Sequence, residues 1–126
     1  MTYARIMVLF LLIFFLHSPI SFAANSHKEK DYQTVWCARH NGMPEYRLDD
    51  NARVDCLTED YAIEFDFAYK WAEAVGQALY YAVKTNKKPG IVIIIEKEGD
   101  KRSLKRLEIL TDKYNIKLWT MTPSDL

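Results

Sequence analysis

Residues 61 to 95 decide the fold, and they read YAIEFDFAYKWAEAVGQALYYAVKTNKKPGIVIII. Large apolar residues alternate with small or acidic ones over 61–67, which predicts a strand with one face in the core. From 68 to 84, apolar residues recur every three or four positions, which predicts an amphipathic helix. The unbroken apolar run 91–95 is typical of a strand covered on both faces. A strand, a helix and a strand in this order predict two parallel strands joined by a right-handed crossover.

Shorter elements flank this unit on both sides. In chain order, the pattern predicts a helix at 32–39 capped by Asp31, strands at 45–48 and 53–57, then after the central unit a helix at 101–114 and a strand at 116–121. The first three strands are expected to form a meander. The resulting order, α-β-β-β-α-β-α-β, predicts an α/β fold, more closely an α+β sandwich in which helices flank a mixed sheet.

The first 23 residues predict a cleavable signal peptide. Arg5 precedes the apolar run Ile6–Leu16, and small residues at Ser21 and Ala23 predict cleavage after Ala23. The run is shorter than the roughly 20 apolar residues that a membrane span needs, although an uncleaved N-terminal anchor remains the alternative. We therefore expect an exported protein, periplasmic or secreted, that is not held in a membrane once the signal is removed.

The rest of the chain predicts a loose polar leader at 24–30 and a single domain at 31–126. The sequence carries 17 basic and 17 acidic residues, and the mature part has one more acidic than basic residue because Arg5 is removed. Such a balance lacks the excess of positive charge that nucleic-acid-binding domains usually show. Nucleic acid is therefore a partner that the net charge does not support, and the oligomeric state is left open.

Cys37 and Cys56 are the two cysteines of the chain, and both fall in the exported part. In an oxidising compartment such a pair is expected to form a disulfide, which would join the first helix to the second strand. Two buried free thiols are the alternative. The spacing matches no structural zinc motif.

Three carboxylates on neighbouring strands are the candidate site. Glu64 and Asp66 are two residues apart on one strand, so both side chains leave the same face of the sheet. Asp55 lies on the adjacent strand of the meander. Carboxylates brought together repel one another, and a hard divalent cation such as Mg²⁺, which prefers oxygen ligands, would neutralise them. The alternative is three solvated carboxylates on a half-exposed sheet.

The helix that follows carries a polar flank beside its apolar stripe. Its members are Lys70, Glu73, Gln77 and either Tyr80 or Tyr81. Lys70 and Gln77 are the better candidates for the site because they project near the end of the acidic strand, whereas Glu73 is interpreted as solvated. His40, beside Asn41-Gly42, is interpreted as a loop residue and not as a general base.

These residues, in this order, resemble the core of the PD-(D/E)XK nuclease superfamily, and in particular its Holliday-junction-resolvase-like branch. The resemblance covers Glu45 to Glu96 and is carried by Val54-Asp55, by Ile63-Glu64-Phe65-Asp66 and by the helix residues 70–81. It implies a restriction-endonuclease-like core, Mg²⁺ or Mn²⁺ bound by Asp55 and Glu64, and a supporting role for Gln77. Glu45 would stand for an upstream acidic residue that some members use.

Two residues depart from the family pattern. Val54 replaces a proline that carries no chemistry, whereas Asp66 replaces the lysine of the Glu-x-Lys motif. Lys70 would then supply the ammonium group from one turn into the helix. Alternatively, Asp66 is a third metal ligand, or the site is inactive. Two functions follow: an exported metal-dependent nuclease acting through Asp55, Glu64, Asp66, Lys70 and Gln77, or an inactive nuclease-like domain used as an envelope or secreted binding module.

Overall fold

The computed structural model describes residues 27–126. The predicted signal peptide, 1–23, and residues 24–26 of the predicted leader lie outside the described residues. The helices and strands are, in chain order, α1 (Glu29–Arg39), β1 (Met43–Arg47), β2 (Arg53–Leu57), β3 (Tyr61–Phe67), α2 (Trp71–Thr85), β4 (Lys88–Ile94), α3 (Asp100–Tyr114) and β5 (Lys117–Met121). Short 3₁₀ turns lie at Ala68–Lys70 and Pro123–Asp125.

The five strands form one mixed sheet in the order β1-β2-β3-β4-β5. Neighbours β1, β2 and β3 are antiparallel, whereas β3, β4 and β5 are parallel. Helix α2 connects the parallel strands β3 and β4, as a crossover requires. The predicted α/β class, with a mixed sheet flanked by helices, is confirmed.

Both faces of the sheet are covered, and the two faces of β3 have different surroundings. Ile63, Phe65 and Phe67 belong to the core under α1, together with Tyr32 and Trp36. On the other face, a second core includes residues of β4, α2 and α3; its buried members are Ala68, Ala74, Ala78, Ile91, Ile93, Leu107 and Ile116. Glu64 pairs with Ile91 and Asp66 with Ile93, so both carboxylates lie on the α2 face of the sheet.

Helix α1 begins at Glu29, three residues before the predicted start and inside the segment predicted as a leader. Asp31 does not precede the helix but occupies its third position, where Oδ2 accepts a hydrogen bond from the backbone N–H of Lys28 at 2.9 Å. A carboxylate at the third position satisfies an N–H group at the helix start as a capping residue would. The predicted cap residue thus serves a helix that starts two residues earlier than Asp31.

Strand β4 begins at Lys88 and includes Pro89 and Gly90, so it starts before the predicted strand 91–95. Helix α2 ends at Thr85, followed by Asn86 in the left-handed conformation with φ 54°. Proline is tolerated in β4 because β5 pairs with this strand from Gly90 onwards. Its missing N–H therefore lies where no neighbouring strand requires it.

The disulfide between Cys37 and Cys56 is present, with 5.8 Å between the two Cα atoms. It joins α1 to β2 as predicted, and the alternative of two free thiols is wrong. Both cysteines are buried in the core under α1. A covalent link between these elements is expected to stabilise the fold by about 3 kcal/mol in the chain-entropy description.

Gly42 lies directly against the disulfide, and a side chain there is expected to destabilise the protein. A Cβ atom at residue 42 would overlap the sulfur of Cys56 and would stand 2.7 Å from that of Cys37. We expect Gly42→Ala to lower the free energy of unfolding by about 2 kcal/mol, a typical cost of overpacking. Urea unfolding measures the change.

Gly76 provides the matched control because it lies in α2, where an added Cβ atom would meet nothing within 4 Å. Gly76→Ala is expected to raise the free energy of unfolding by up to about 1 kcal/mol, since alanine favours a helix over glycine. A Gly42→Ala variant as stable as the wild type would show that the chain relaxes around the disulfide at little cost.

Candidate functional site

The acidic side chains of β2 and β3 line one cavity of about 440 Å³. It contains every residue predicted for the site: Glu45, Asp55, Glu64, Asp66, Lys70 and Gln77. The remaining lining residues are Glu29, Lys30, Gln33, Arg53, Glu73 and Tyr81. Six carboxylates and three cationic side chains therefore surround a single space, with contributions from α1, β1, β2, β3 and α2.

Asp55 lies where β2 and β3 separate. The register of the two strands runs through Leu57↔Ala62 and Cys56↔Ile63 and ends before Asp55. There, Oδ2 of Asp55 accepts a hydrogen bond from the backbone N–H of Phe65 at 2.8 Å. A side chain thus takes the place that a backbone carbonyl would occupy in a continuous ladder. The two strands diverge at the acidic residues, and this divergence leaves room for the cavity.

Glu64 is a buried carboxyl group that lacks a full set of partners. The residue is 4% exposed, and its Oε2 atom has no hydrogen-bond partner among residues 27–126. Burial, followed by the charges of Asp55 and Asp66, raises the pKa of Glu64 to about 10. The hydrogen bond between Glu64 and Asp55 lowers the pKa of Asp55 and raises that of Glu64. We therefore assign the proton to Glu64, whose carboxyl group donates a hydrogen bond to the Asp55 carboxylate. The alternative of solvated carboxylates on a half-exposed sheet is therefore excluded for Glu64.

Asp66 and Lys70 form an ion pair at the cavity. Oδ1 of Asp66 lies 3.5 Å from Nζ of Lys70 and also accepts a hydrogen bond from the N–H of Phe67 at 3.0 Å. Burial raises the pKa of Asp66 to about 7, although Lys70 opposes the shift. Lys70 closes the 3₁₀ turn that precedes α2. Its ammonium group thus lies beside the residue that replaces the motif lysine.

Helix α2 supplies the opposite wall of the cavity. Gln77 donates a hydrogen bond from Nε2 to the hydroxyl oxygen of Tyr81 at 3.3 Å. The aromatic member of the polar flank is therefore Tyr81, whereas Tyr80 is exposed and donates its hydroxyl to Asp50. Glu73, interpreted from the sequence as solvated, is exposed and also lines the cavity.

The contribution of α1 was missed by the sequence interpretation. Glu29 lines the cavity, and burial followed by the charge of Asp55 raises the pKa of its carboxyl group. Glu29 fell in the segment predicted as a leader, so it was not considered for the site. The available signal was its separation of four residues from Gln33, which places both side chains on one face of a helix.

Glu45 lies at the rim of the cavity, held by three donors. Its Oε1 atom accepts from Lys30 at 2.7 Å and from Gln33 at 3.1 Å, and its Oε2 lies 3.4 Å from Arg53. Its backbone is in the left-handed region, with φ 55°, which is costly for a residue other than glycine. The carboxylate that could have been an upstream metal ligand is thus engaged by side chains of α1 and β2.

No group of three or more His, Cys, Asp or Glu side chains within residues 27–126 has the arrangement of a metal site. Asp55 faces the N–H of Phe65, and Asp66 faces Lys70, so the three predicted ligands do not converge on one point. His40 lies apart, stacked on Trp36 with 3.6 Å between the ring centroids. The acidic pair of Asp55 and Glu64 remains the place where a cation would meet two carboxylates.

Comparison with curated proteins finds similarity to a KilA-N domain-containing protein of Acanthamoeba polyphaga mimivirus. The two are 30% identical over 95 residues, which is 75% of this chain and 37% of the viral protein. The chain therefore spans little more than a third of that relative's length. No protein-family description matches the chain, and no solved structure matches it. Within the described residues, no helix has both the length and the apolar character needed to cross a membrane.

Proposed function

We propose that the cavity binds one divalent cation, Mg²⁺ or Mn²⁺, between Asp55 and Glu64, and that the domain is a nuclease-like phosphodiester hydrolase. The supporting observation is the buried Oε2 of Glu64, which lacks a partner within the described residues. An ionised carboxylate at such a place is unfavourable unless a positive charge compensates it. A proton fulfils this role in the free protein, and a cation would fulfil it in the loaded one.

A pair of carboxylates, Asp55 and Glu64, is the donor set that the cavity offers to such a cation. Mg²⁺ commonly uses one or two protein carboxylates and completes its shell with water and phosphate oxygens. When bound, it would activate a water molecule and neutralise charge that develops on a phosphodiester. The resemblance to the PD-(D/E)XK superfamily agrees with this role, since its motif falls on the same two residues, Asp55 and Glu64.

The protein's own groups hold and orient the reactants in this proposal. The N–H of Phe65 fixes one oxygen of Asp55 and leaves the other directed to the Glu64 side. Lys70, whose side chain is 41% exposed, reaches the mouth of the cavity and donates to an oxygen of the phosphate or to the attacking water. Asp66 keeps the ammonium group of Lys70 charged, because its negative charge raises the pKa of Lys70.

An inactive domain that binds a partner at this cavity is the second candidate. The Asp66–Lys70 ion pair favours this second candidate. Asp66 occupies the position where the family pattern has a free lysine, and it binds the ammonium group of Lys70. In that case the proton on Glu64 is structural, and the cavity is a polar recognition surface in the envelope or outside the cell.

Export of the protein is part of the proposal. The predicted signal peptide lies outside the described residues, but the Cys37–Cys56 disulfide supports an oxidising compartment. N-terminal sequencing of protein recovered from an envelope or culture fraction should start at or near Ala24. Full-length chain in the cytosol would contradict export.

Lys70→Ala separates the two functions. If Lys70 donates in the reaction, cleavage of a fluorescent oligodeoxynucleotide in the presence of Mn²⁺ should fall by about 100-fold or more, the usual effect of losing one positioned donor. Binding of Mn²⁺ should change little, because Lys70 is not a ligand. Calorimetric titration and a cleavage assay measure the two effects separately.

Lys84→Ala is the matched control for this experiment. Lys84 lies at the other end of α2, where it pairs with Asp49, and its loss should leave cleavage unchanged. A wild-type protein that binds Mn²⁺ but cleaves no phosphodiester would favour the inactive binding domain. A wild-type protein that binds no cation would contradict the proposed site.

A further inference from the structure

Gln33 is a buried polar side chain that joins three parts of the cavity. It is 2% exposed and lies on α1. Its amide nitrogen donates to the backbone oxygen of Asp55 and, at 3.1 Å, to Oε1 of Glu45. An amide nitrogen carries two hydrogens, so these two acceptors use its whole donor capacity. Gln33 therefore links α1 to both β1 and β2 at the point where β2 separates from β3.

We propose that Gln33 is a positioning residue that fixes the main chain of Asp55 and thereby sets the affinity of the acidic pair for its cation. Asp55 has lost the support of the β2–β3 ladder, whose register ends at Cys56. On the other side of β2, the pairing with β1 includes Pro44↔Cys56 and Tyr46↔Val54 but leaves out Glu45 and Asp55. The hydrogen bond from Gln33 to the backbone oxygen of Asp55 supplies support at this interruption. Since the carboxylate of Asp55 is also held by the N–H of Phe65, main chain and side chain are fixed from opposite directions.

The disulfide restrains the same two segments. Cys37 follows Gln33 by one helical turn on α1, and Cys56 is the next residue after Asp55 on β2. The disulfide holds Cys56 through its side chain, whereas the amide of Gln33 binds the backbone oxygen of Asp55 directly.

The backbone of Glu45 provides an independent indication that the contacts of Gln33 determine the positions of the groups around Asp55. Its left-handed backbone, φ 55°, is unfavourable for a residue with a side chain. This conformation turns its carboxylate towards Gln33, Lys30 and Arg53. The unfavourable backbone is maintained by contacts, and these contacts keep the acceptor of Gln33 in place beside Asp55.

The inference rests on the proposed cation site, and Gln33→Met tests it. Methionine has similar length and volume but no N–H group. We expect the affinity for Mn²⁺, measured by calorimetric titration, to fall about tenfold, as is usual when support of a ligand is removed. The amide proton of Phe65 should exchange about tenfold faster with no metal present, because its acceptor on Asp55 is less firmly held.

Thr34→Ala is the control, since Thr34 is the next residue of α1, is exposed and donates to the backbone oxygen of Lys30. Thr34→Ala should change neither the affinity for Mn²⁺ nor the exchange rate of the Phe65 amide proton. If the methionine variant does not fold, Gln33→Asn, which keeps the amide but withdraws it by one methylene, should show the same two effects. Unchanged Mn²⁺ affinity and unchanged exchange in a folded Gln33 variant would overturn the inference and leave the cation site intact.

Failure of the proposed function has a different signature. In that case the wild-type protein binds no Mn²⁺. The exchange rate of the Phe65 amide proton then tests by itself whether Gln33 positions Asp55. Faster exchange in Gln33→Met but not in Thr34→Ala would still establish that Gln33 positions Asp55, and equal exchange would refute it.

Discussion

Glu64→Gln is expected to stabilise the metal-free protein at pH 8 by up to about 5 kcal/mol, and to change its stability little at pH 4.5. Burial and two neighbouring carboxylates raise the pKa of Glu64 to about 10. In the unfolded chain the same group ionises near pH 4.3. Unfolding at pH 8 therefore releases a proton from glutamate, which favours the unfolded state. Glutamine has no proton to release, yet its amide can donate to Asp55 as the protonated glutamate does.

The sign of the pH dependence follows from the raised pKa values. A carboxyl whose folded pKa lies above its unfolded pKa contributes stability at low pH, and that contribution is lost as the pH rises. In the folded protein the pKa is raised to about 6 for Asp55, to about 7 for Asp66 and to about 10 for Glu64. The wild-type protein in EDTA should therefore lose stability steadily from about pH 4 to pH 9, and Glu64→Gln should flatten the upper part of this profile.

Urea unfolding between pH 4.5 and pH 9 measures the profile. Glu108→Gln is a suitable control, because Glu108 is exposed on α3 and away from the cavity. A wild-type profile that is flat over this range would show that Glu64 is ionised in the folded protein. The carboxyl group would then need a permanent partner, and the assignment of the proton to Glu64 would be wrong.

Strands β2 and β3 were the most predictable part of the fold, whereas β1 begins two residues and β4 three residues before the predicted starts at 45 and 91. The observed bounds of β2 and β3 equal the predicted ones, because alternation of apolar and polar residues specifies one register for each strand. The same alternation placed Glu64 and Asp66 on the face opposite Ile63 and Phe65. Local sequence was sufficient here since the cause, burial of one face of a strand, is itself local.

The burial of Glu64 depends on contacts with residues that are distant in sequence. Glu64 is 4% exposed because α2 covers its face of the sheet, while the start of α1 lines the same cavity. Neither contact can be recognised from the residues around Glu64. The start of α1 was missed because Lys28 supplies no side-chain cap, while Asp31 satisfies the helix start from its third position. That error removed Glu29 and Lys30 from consideration, although both line the cavity. Gln33 lay inside the predicted helix, but nothing in the sequence connected it with the acidic residues.

The disulfide was predictable from the sequence, whereas the contacts that form around it were not. Two cysteines in a chain that is predicted to be exported indicate a disulfide, and the observed pair confirms the disulfide. The close approach of Gly42 to both sulfur atoms and the placement of Gln33 beside Asp55 emerge only once α1 and β2 are joined. A sequence pattern identifies the residues that can react or pair, whereas the supporting contacts around them require the packed structure.

Addition of Mn²⁺ should have the second large effect, a stabilisation of about 2.7 kcal/mol when the free cation is present at about 100 times its dissociation constant. For a domain of this size, the melting temperature should rise by roughly 10 °C or more. Asp55→Asn should abolish the rise, because it removes one of the two proposed ligands while keeping the hydrogen-bond acceptor for Phe65. Asp60→Asn, which alters an exposed carboxylate in the β2–β3 turn, should leave the rise unchanged.

The pH dependence of this stabilisation distinguishes a site between Asp55 and Glu64 from cations held loosely at the surface. Because Glu64 must give up its proton to become a ligand, binding of Mn²⁺ should release close to one proton at pH 7, and affinity should increase with pH below the pKa of Glu64. Calorimetric titrations in two buffers of different ionisation enthalpy measure the proton release. Surface carboxylates are already ionised at pH 7 and release none. A stabilisation that persists in Asp55→Asn, or that involves no proton release, would therefore place the cation elsewhere and leave Glu64 as a protonated structural residue.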